Sequence, residues 1–428
     1  MTDEHRALLA HLFRRAGFGA RKADLDAYAS KDYSTAVEDL VAPALRKQNS
    51  SALLTQETGE PLLQPALSDV QKGWLGSMIA SASPLAERMT LFLSNHFVAA
   101  YQAPNVDAAA LVAHHSIIRK HALGSFAELA HAMIDDKAQS CYLNNERNRA
   151  AKPNENLGRE LMELFMLGSG TYSERDVKET ARALTGYTLV TPAPGMRKKL
   201  VFDKTLHDAG PKTILGVTSN FTPHGVVDLF LSQPTSRRFI AQKLVAHFVG
   251  PDPGGTLAGT VASSLARNWR FDDALRTIFY SQQFRATSAR QALPKSPAEY
   301  VAGLMRALGR TEVHEGVSYM AQAGQTLFRP PSVVGWPTGK RMLGPGAVLA
   351  RYNAASAFAR IHATNPSANA PSGLALAPWM EALGLTSLSQ PTIDALNAYL
   401  AATARNTTAV RTAGLITVLA SSPDFNLS

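Results

Sequence analysis

One segment concentrates residue types that can do chemistry, and the sequence predicts it to be a helix over residues 155–167. Asn154 is suited to cap this helix and Gly168 to end it. At about 100° per residue, four polar side chains share roughly a third of its circumference, and they form the polar stripe: Asn156, Arg159, Glu160 and Glu163. Because the remaining surface is apolar, we expect a mostly buried helix whose polar stripe meets other polar groups or water.

The polar stripe has two interpretations. Glu160 and Glu163 are three residues apart, so their carboxylates can approach each other. Two neighbouring carboxylates raise each other's pKa, bind a divalent cation or are neutralised by a base. Arg159, four residues from both Glu155 and Glu163, is the base that the spacing favours. The stripe is therefore either a structural Arg–Glu network that pins helices together or a catalytic or metal-binding site.

Two further groups carry candidate chemistry. His207–Asp208 lies in a predicted loop, where this pair can ligate a metal, act as a base or bind an anion, a surface turn being the structural alternative. Asn95–His96 ends an amphipathic helix, where a core-edge histidine is the structural alternative. We predict four acid–base groups or metal ligands: Glu160, Glu163, His207 and Asp208. The predicted substrate-positioning residues are Asn95, His96, Asn154, Asn156, Arg159 and Lys212.

The elements that must position these groups are predicted to be helices. Apolar residues recur at three- and four-residue spacing in 90–98, 106–121, 125–134, 234–249, 271–280, 297–308, 348–361 and 407–419. A capping-box pattern at Ser173 begins another helix, which makes a helical hairpin with 155–167. Segments 199–202 and 212–215 are predicted to pair as one hairpin around His207–Asp208. The expected fold is mainly α, a multi-helix globular body with at most one small β-hairpin near 199–216.

The composition narrows the classes of function. Hydrophobic residues make up 45% and charged residues 18%, so we expect a packed core and not a disordered chain. The net charge is +9, but the basic clusters are short and lack interleaved aromatics, so nucleic acid is not an expected partner. An anionic polymer or lipid surface remains an alternative. The single cysteine, Cys141, excludes an intrachain disulfide and a Cys-based metal centre.

Apolar runs, export signals and Pro- or Gly-rich stretches indicate the cellular location and the domain boundaries. No apolar run reaches the roughly 18 residues that span a bilayer, so we expect a soluble chain. The twin arginine Arg14–Arg15 is followed by polar residues without an apolar segment or cleavage site, so we expect no export signal and a cytoplasmic location. Pro- and Gly-rich stretches near 191–198, 250–256 and 365–375 mark sub-boundaries, and none has the length of an interdomain linker.

Segments spread along the chain resemble, in family order, the bacterial family catalogued as domain of unknown function 1800. The matching segments are 11–19, 91–97, 119–126, 153–168, 172–177, 181–186, 207–213, 243–248 and 330–336. The resemblance implies a single, mainly helical domain over 1–428 and supplies no reaction. Family members often accompany proteins of the domain of unknown function 1501 family, which resembles alkaline phosphatases and sulfatases and carries Tat-type signals. The resemblance therefore implies such a partner, with which the chain could be exported to the periplasm.

The chain departs from the family pattern at several positions. Leu93 and Ser94 stand where members usually have Trp and His, and segment 137–142 lacks the usual Pro-Ala-Met pattern. Met342 stands where an aromatic residue is common. If these positions line a site, that site is altered in this chain.

Three functional hypotheses follow from the sequence. The leading one is an enzyme with a polar, metal-assisted site on the 154–168 helix, using a divalent ion as cofactor for hydrolytic or oxidative chemistry. The second is a non-catalytic partner or scaffold of an exported phosphatase- or sulfatase-like protein. The third is an anionic-polymer binding module, which rests on the net charge of +9.

Overall fold

The computed structural model describes residues 2–42, 65–101, 103–368 and 370–428. Most of the structure is helical, which confirms the mainly α prediction. The α-helices are α1 (Asp3–Ala16), α2 (Lys22–Asp26), α3 (Tyr33–Val41), α4 (Leu67–Ala80), α5 (Pro84–Ser94), α6 (Ala108–His121), α7 (Phe126–Ile134), α8 (Lys137–Tyr142), α9 (Asn156–Glu160), α10 (Glu174–Ala183), α11 (Pro223–Ser232), α12 (Pro234–Phe248), α13 (Thr256–Leu265), α14 (Phe271–Tyr280), α15 (Gln282–Arg285), α16 (Pro297–Ala307), α17 (Val313–Gln322), α18 (Pro345–Thr364), α19 (Leu376–Ala382), α20 (Gln390–Ala402), α21 (Thr408–Ser421) and α22 (Pro423–Asn426). Within the described ranges, no helix is both long and apolar enough to cross a bilayer.

The apolar periodicity misses the first turns of helix α5. The helix begins at Pro84, six residues before the predicted start, because its first turns carry charged side chains that are buried. The Glu87 carboxylate pairs with Arg119 of α6, and Arg88 pairs with Glu299 of α16. These buried ion pairs interrupt the apolar pattern while tying α5 to two other helices.

The hydrophobic core consists of two clusters that meet at α5. Leu85, Met89 and Leu93 belong to the cluster formed largely by α1, α3, α7 and α11–α14. Leu91 belongs to the other cluster, which α4, α16, α18 and α21 dominate. Residues at the C-terminal end of α5 therefore lie at the junction of both clusters.

The predicted strands form, but their predicted pairing is wrong. Strand β2 (Lys199–Phe202) pairs antiparallel with β1 (Tyr187–Val190), and β3 (Lys212–Ile214) pairs with β4 (Val217–Ser219). The β3–β4 turn closes locally because Leu215 and Gly216 both have positive φ, as in a type I′ two-residue hairpin turn. Two small hairpins therefore replace the single one expected around His207–Asp208.

The predicted helical hairpin is present with one change. Helix α9 continues as a π-helix over Leu161–Met166, and α10 follows after a turn and a capping box at Ser173. Gly158 packs so closely on α10 that a Cβ there would lie 3.2 Å from the Ala181 amide nitrogen. A π-helix is wider than an α-helix and turns by less than about 100° per residue. The predicted angular positions of side chains therefore do not hold over Leu161–Met166, the second half of the predicted helix.

Candidate functional site

A cavity of about 340 Å³ lies where the C-terminal end of α5 meets α12, the start of α16 and the loop 325–342. Its polar lining consists of Arg88, Asn95, His96, Lys243, His247, Ser296, Glu299, Gln325, Thr338 and Ser428. This volume lies in the range of small-molecule sites, which are commonly about 300–1,000 Å³. We call this space the central cavity.

Lys243 of α12 is the amine on the wall of the central cavity. Its Nζ donates to Nδ1 of His96 over 2.8 Å and to the Leu164 carbonyl over 3.1 Å. The Phe239 ring also lies beside the ammonium, with its centroid 4.9 Å from Nζ. Burial lowers the pKa of Lys243 to about 8. Near neutral pH this amine can therefore exchange a proton with a bound molecule.

His96 holds Lys243 in position. Its Nε2 lies 2.9 Å from the Phe165 carbonyl, which only accepts, so Nε2 carries the ring proton and Nδ1 accepts from Lys243. Burial and, second, the charge of Lys243 hold the pKa of His96 well below its usual value, so the ring is neutral. Because both ring nitrogens have partners, His96 orients the amine and is not itself available as a base.

The end of the polar-stripe helix contributes through its backbone. Leu164 and Phe165 lie in the last turn of the π-helix, where carbonyls have no partner within the helix. These two carbonyls accept from Lys243 and His96, and the negative end of the helix dipole faces the ammonium. Gly168 ends the helix at φ +79°, and a Cβ there would lie 2.8 Å from the Phe239 ring.

Arg88 and Glu299 form a buried ion pair that also lines the cavity. Glu299 is the third residue of α16, and its other carboxylate oxygen accepts from the Ser296 amide at 2.8 Å. The Nε of Arg88 donates to Nε2 of His247 at 3.2 Å. Burial and the charges of Arg88 and Arg15 keep the pKa of His247 well below its usual value. The side chains of the cavity wall therefore include two cations, Arg88 and Lys243, one carboxylate, Glu299, and two neutral histidines.

Asn95 fixes the loop that closes the central cavity. Its Oδ1 accepts from the Trp336 amide at 2.6 Å, and its Nδ2 donates to the Trp336 carbonyl at 3.2 Å. The Trp336 side chain is buried, and its indole Nε1 has no hydrogen-bond partner among the described residues. Trp336 and Met342 also line an adjoining cavity of about 310 Å³. Met342, one of the departures from the family pattern, therefore lies between the two spaces.

The side chains of the polar stripe lie outside the central cavity, on the helical hairpin formed with α10. Arg159 binds both oxygens of Glu174 at 2.7 Å and Glu155 at 3.1 Å. The spacing favours Glu155 and Glu163 as partners of Arg159, and the contact with Glu155 is present. The other partner is Glu174 of α10, so Arg159 ties the two helices of the hairpin together. Glu163 instead accepts from Ser169 and Tyr172, both at 3.3 Å.

Glu160 and the two asparagines of the motif have different surroundings. Burial and, second, the charge of Glu163 raise the pKa of Glu160, as expected for neighbouring carboxylates. Asn154 Oδ1 accepts from the backbone N–H of the exposed Asn156 at 3.0 Å, and the backbone N–H of Asn154 donates to Oδ1 of Asn148 at 2.8 Å. These contacts shape the turn that leads into α9.

His207, Asp208 and Lys212 lie together beyond the far end of α10. Nδ1 of His207 lies 2.9 Å from the Thr185 carbonyl, and Asp208 accepts from Arg182 at 2.7 Å. The buried Lys212 ammonium donates to three backbone carbonyls, those of Asp208, Gly210 and Phe221. It therefore stabilises the loop around it.

The predicted residues thus fall into separate groups. In the described part of the chain, no hydrogen bond or ion pair joins His207 or Asp208 to Glu160 or Glu163. The same residues include no group of three or more His, Cys, Asp or Glu side chains arranged to hold a metal ion. Asn95 and His96 are the two predicted residues that line the central cavity.

Sequence reasoning missed the other polar groups of the cavity. Lys243 and His247 are four residues apart on α12, in a segment that carries the family resemblance, so that segment was the available signal. Arg88 and Glu299 had no local signal because their partners are distant in sequence.

The fold and the site define a mainly helical protein with an interior cavity lined by charged side chains. The sequence model of the family described as "Protein of unknown function (DUF1800)" matches residues 11–427. The chain belongs to this family, as the resemblance implied. Neither the curated proteins nor the solved structures include a match to the chain.

Proposed function

We propose that the protein is an enzyme that binds a small anionic molecule in the central cavity and exchanges a proton with it through Lys243. The observation that carries the proposal is the Lys243 amine, held by two fixed acceptors on the wall of a cavity that also contains Arg88. The Arg88 guanidinium supplies a fixed charge for a carboxylate, phosphate or sulfate group.

The geometry of Lys243 supports the acid–base role. Two of its N–H groups point at His96 and Leu164, and among the described residues the third has no hydrogen-bond acceptor. Loss of that third proton leaves a lone pair in the same position while both fixed hydrogen bonds remain. The amine can therefore change protonation state without moving, as a general acid–base group should.

The wall charge supports an anionic ligand. Arg88 and Lys243 carry two positive charges and Glu299 one negative charge, while His96 and His247 are neutral. The side chains of the wall therefore sum to one positive charge when Lys243 is protonated. An anion entering the cavity would compensate this buried charge, which a neutral ligand cannot do.

Ligand-induced thermal stabilisation tests the binding step. Phosphate, sulfate and a series of mono- and dicarboxylates are screened for an increase in Tm of the wild type, Lys243→Gln and Lys152→Gln. Lys152 is exposed and serves as the matched control. We expect at least one anion to raise the Tm of the wild type and the control, with a smaller rise for Lys243→Gln. Equal responses in all three proteins, or no response in any, would contradict the proposal.

The metal-assisted form of the enzyme hypothesis remains a prediction on Glu160, Glu163, His207 and Asp208. Metal analysis of the purified protein, together with its visible spectrum, tests it.

The scaffold hypothesis, with a partner from the domain of unknown function 1501 family and joint export, also remains a prediction, tested by co-purification. Binding to an anionic polymer is tested by salt-dependent retention on an anionic resin.

A further inference from the structure

We infer that His131 and His224 form a binding site for a divalent transition-metal ion that bridges α7 and α11. This site is separate from the central cavity and does not depend on the proposed function. Imidazole nitrogens are suitable ligands for Zn²⁺, Cu²⁺ and Ni²⁺.

The two histidines face each other across the contact between α7 and α11. The Nδ1 atoms of His131 and His224 are 3.0 Å apart. The ring planes differ by 21° and the centroids are 5.2 Å apart, so the two rings meet edge to edge at these nitrogens. Both side chains are partly exposed, at 31% and 46%, so an ion can enter from solvent.

A carboxylate lies behind each imidazole. Nε2 of His131 is 3.0 Å from Oδ1 of Asp228, and Nε2 of His224 is 3.3 Å from Oδ2 of Asp135. Asp135 is itself held by the hydroxyl of Tyr187. Metal-binding histidines commonly donate their second ring N–H to a carboxylate, which orients the ring and makes the ligating nitrogen more basic.

Counting protons shows that this cluster lacks one positive charge. The row Asp228–His131–His224–Asp135 contains three close contacts, and each needs a proton or a cation between its two acceptor atoms. Two neutral imidazoles carry only two ring protons. When both carboxylates hold an Nε2–H, the two Nδ1 lone pairs face each other with nothing between them. A metal ion that binds both lone pairs completes the row, and it also offsets the two carboxylate charges.

The geometry suits such an ion with a small adjustment. Two Zn–N bonds of about 2.0–2.1 Å at a tetrahedral angle place their nitrogens about 3.3 Å apart. The observed separation of 3.0 Å must therefore open by a few tenths of an ångström. Because only two protein ligands are present, water would fill the other positions. This agrees with the lack, among the described residues, of any group of three convergent ligands.

Calorimetric titration with Zn²⁺ tests the site. The proteins compared are the wild type, His131→Ala, His224→Ala and the control His314→Ala, which removes an exposed histidine of α17. We expect one equivalent of Zn²⁺ to bind the wild type and the control, and binding to be lost in both other variants. Asp228→Asn keeps both ligands, and we expect it to weaken binding about 10–100-fold because the carboxylate that orients His131 is neutralised.

A spectroscopic readout identifies the ligands directly. Cu²⁺ bound to the wild type should show hyperfine coupling to two imidazole nitrogens in its electron paramagnetic resonance spectrum, and Cu²⁺ added to His224→Ala should not. If the wild type binds no Zn²⁺, or if the double variant H131A/H224A binds it as tightly as the wild type, the inference is wrong. In the former case a shared proton completes the row instead.

Discussion

The Nζ of Lys243 donates to Nδ1 of His96 over 2.8 Å, and this contact joins α12 to the residues that follow α5. The other ring nitrogen of His96, Nε2, donates to the Phe165 carbonyl at the end of the π-helix over 2.9 Å. The polar-stripe helix therefore acts on the central cavity through backbone carbonyls, while its carboxylates lie elsewhere. The proposed acid–base group is fixed by a neutral histidine and a helix end, and no carboxylate is needed to hold it.

The first prediction concerns the pH dependence of Lys243. Burial lowers its pKa from 10.5 to about 8 in the folded protein, so between these values the unfolded chain binds more protons at this position. Stability therefore rises with pH across this window, because the unfavourable buried charge is lost. We expect the free energy of unfolding of the wild type, relative to Lys243→Met, to increase from pH 8 to pH 10. Urea denaturation of both proteins at the two pH values measures this difference, and a constant difference would contradict it.

The second prediction concerns the buried pair Arg88–Glu299. Both residues are at least 93% buried, so Arg88→Met leaves the Glu299 charge without its partner. We expect a loss of about 3–5 kcal/mol in the free energy of unfolding. The double variant R88M/E299Q removes both charges but keeps an acceptor for the Ser296 amide, and it should recover most of this loss. Urea denaturation compares the proteins, and a double variant less stable than R88M would contradict the explanation.

The sequence predicts elements well where the apolar pattern is complete. Helix α14 has the predicted bounds because Phe271, Leu275 and Ile278 lie on one uninterrupted apolar face. Helix α5 begins earlier than predicted because Glu87 and Arg88 are buried only through partners on other helices. Local sequence patterns do not contain such long-range pairings.

The same limit applies to the site. A lysine in an amphipathic helix is normally exposed, so nothing local distinguishes Lys243 until His96 and the π-helix end are brought against it. The sequence does predict Asn95 and His96, because a polar pair at the end of a helix is visible in the local pattern. The pairing of β2 failed for a comparable reason, since its partner β1 follows α10 directly and both candidate pairings satisfy the strand pattern.

The third prediction separates two roles for Lys212. Its ammonium donates to the carbonyls of Asp208, Gly210 and Phe221, so Lys212→Met leaves these acceptors without a donor. We expect a loss of about 1–3 kcal/mol in the free energy of unfolding. Lys204→Met, at an exposed lysine of the same loop, should change stability little.

Anion binding then decides whether Lys212 also positions a ligand. We expect Lys212→Met to keep whatever Tm increase anions produce in the wild type, because its ammonium is fully occupied by the loop. A selective loss of that increase would support the substrate-positioning role predicted from the sequence and contradict a purely structural one.

The fourth prediction concerns the loop that closes the central cavity. Gly335 has φ +90°, and a Cβ there would lie 2.2 Å from Oδ1 of Asn95. Gly339, in the same loop, has φ +62° and no atom within 4 Å of its added Cβ, so it is a matched control for backbone strain alone. Gly339→Ala should lower the free energy of unfolding by about 1–2 kcal/mol. Gly335→Ala should lower it further, because the new methyl group displaces Asn95 from the Trp336 backbone.

Tryptophan fluorescence of the two variants reports the consequence for the cavity. Trp336 lines the central cavity and is held by Asn95, so Gly335→Ala should expose the indole to solvent and increase its quenching by acrylamide. Gly339→Ala should leave quenching as in the wild type, because it adds strain without touching Asn95. Equal stability losses with equal quenching in the two variants would mean that the Asn95 contact does not hold the loop. The closure of the cavity would then have to depend on other contacts.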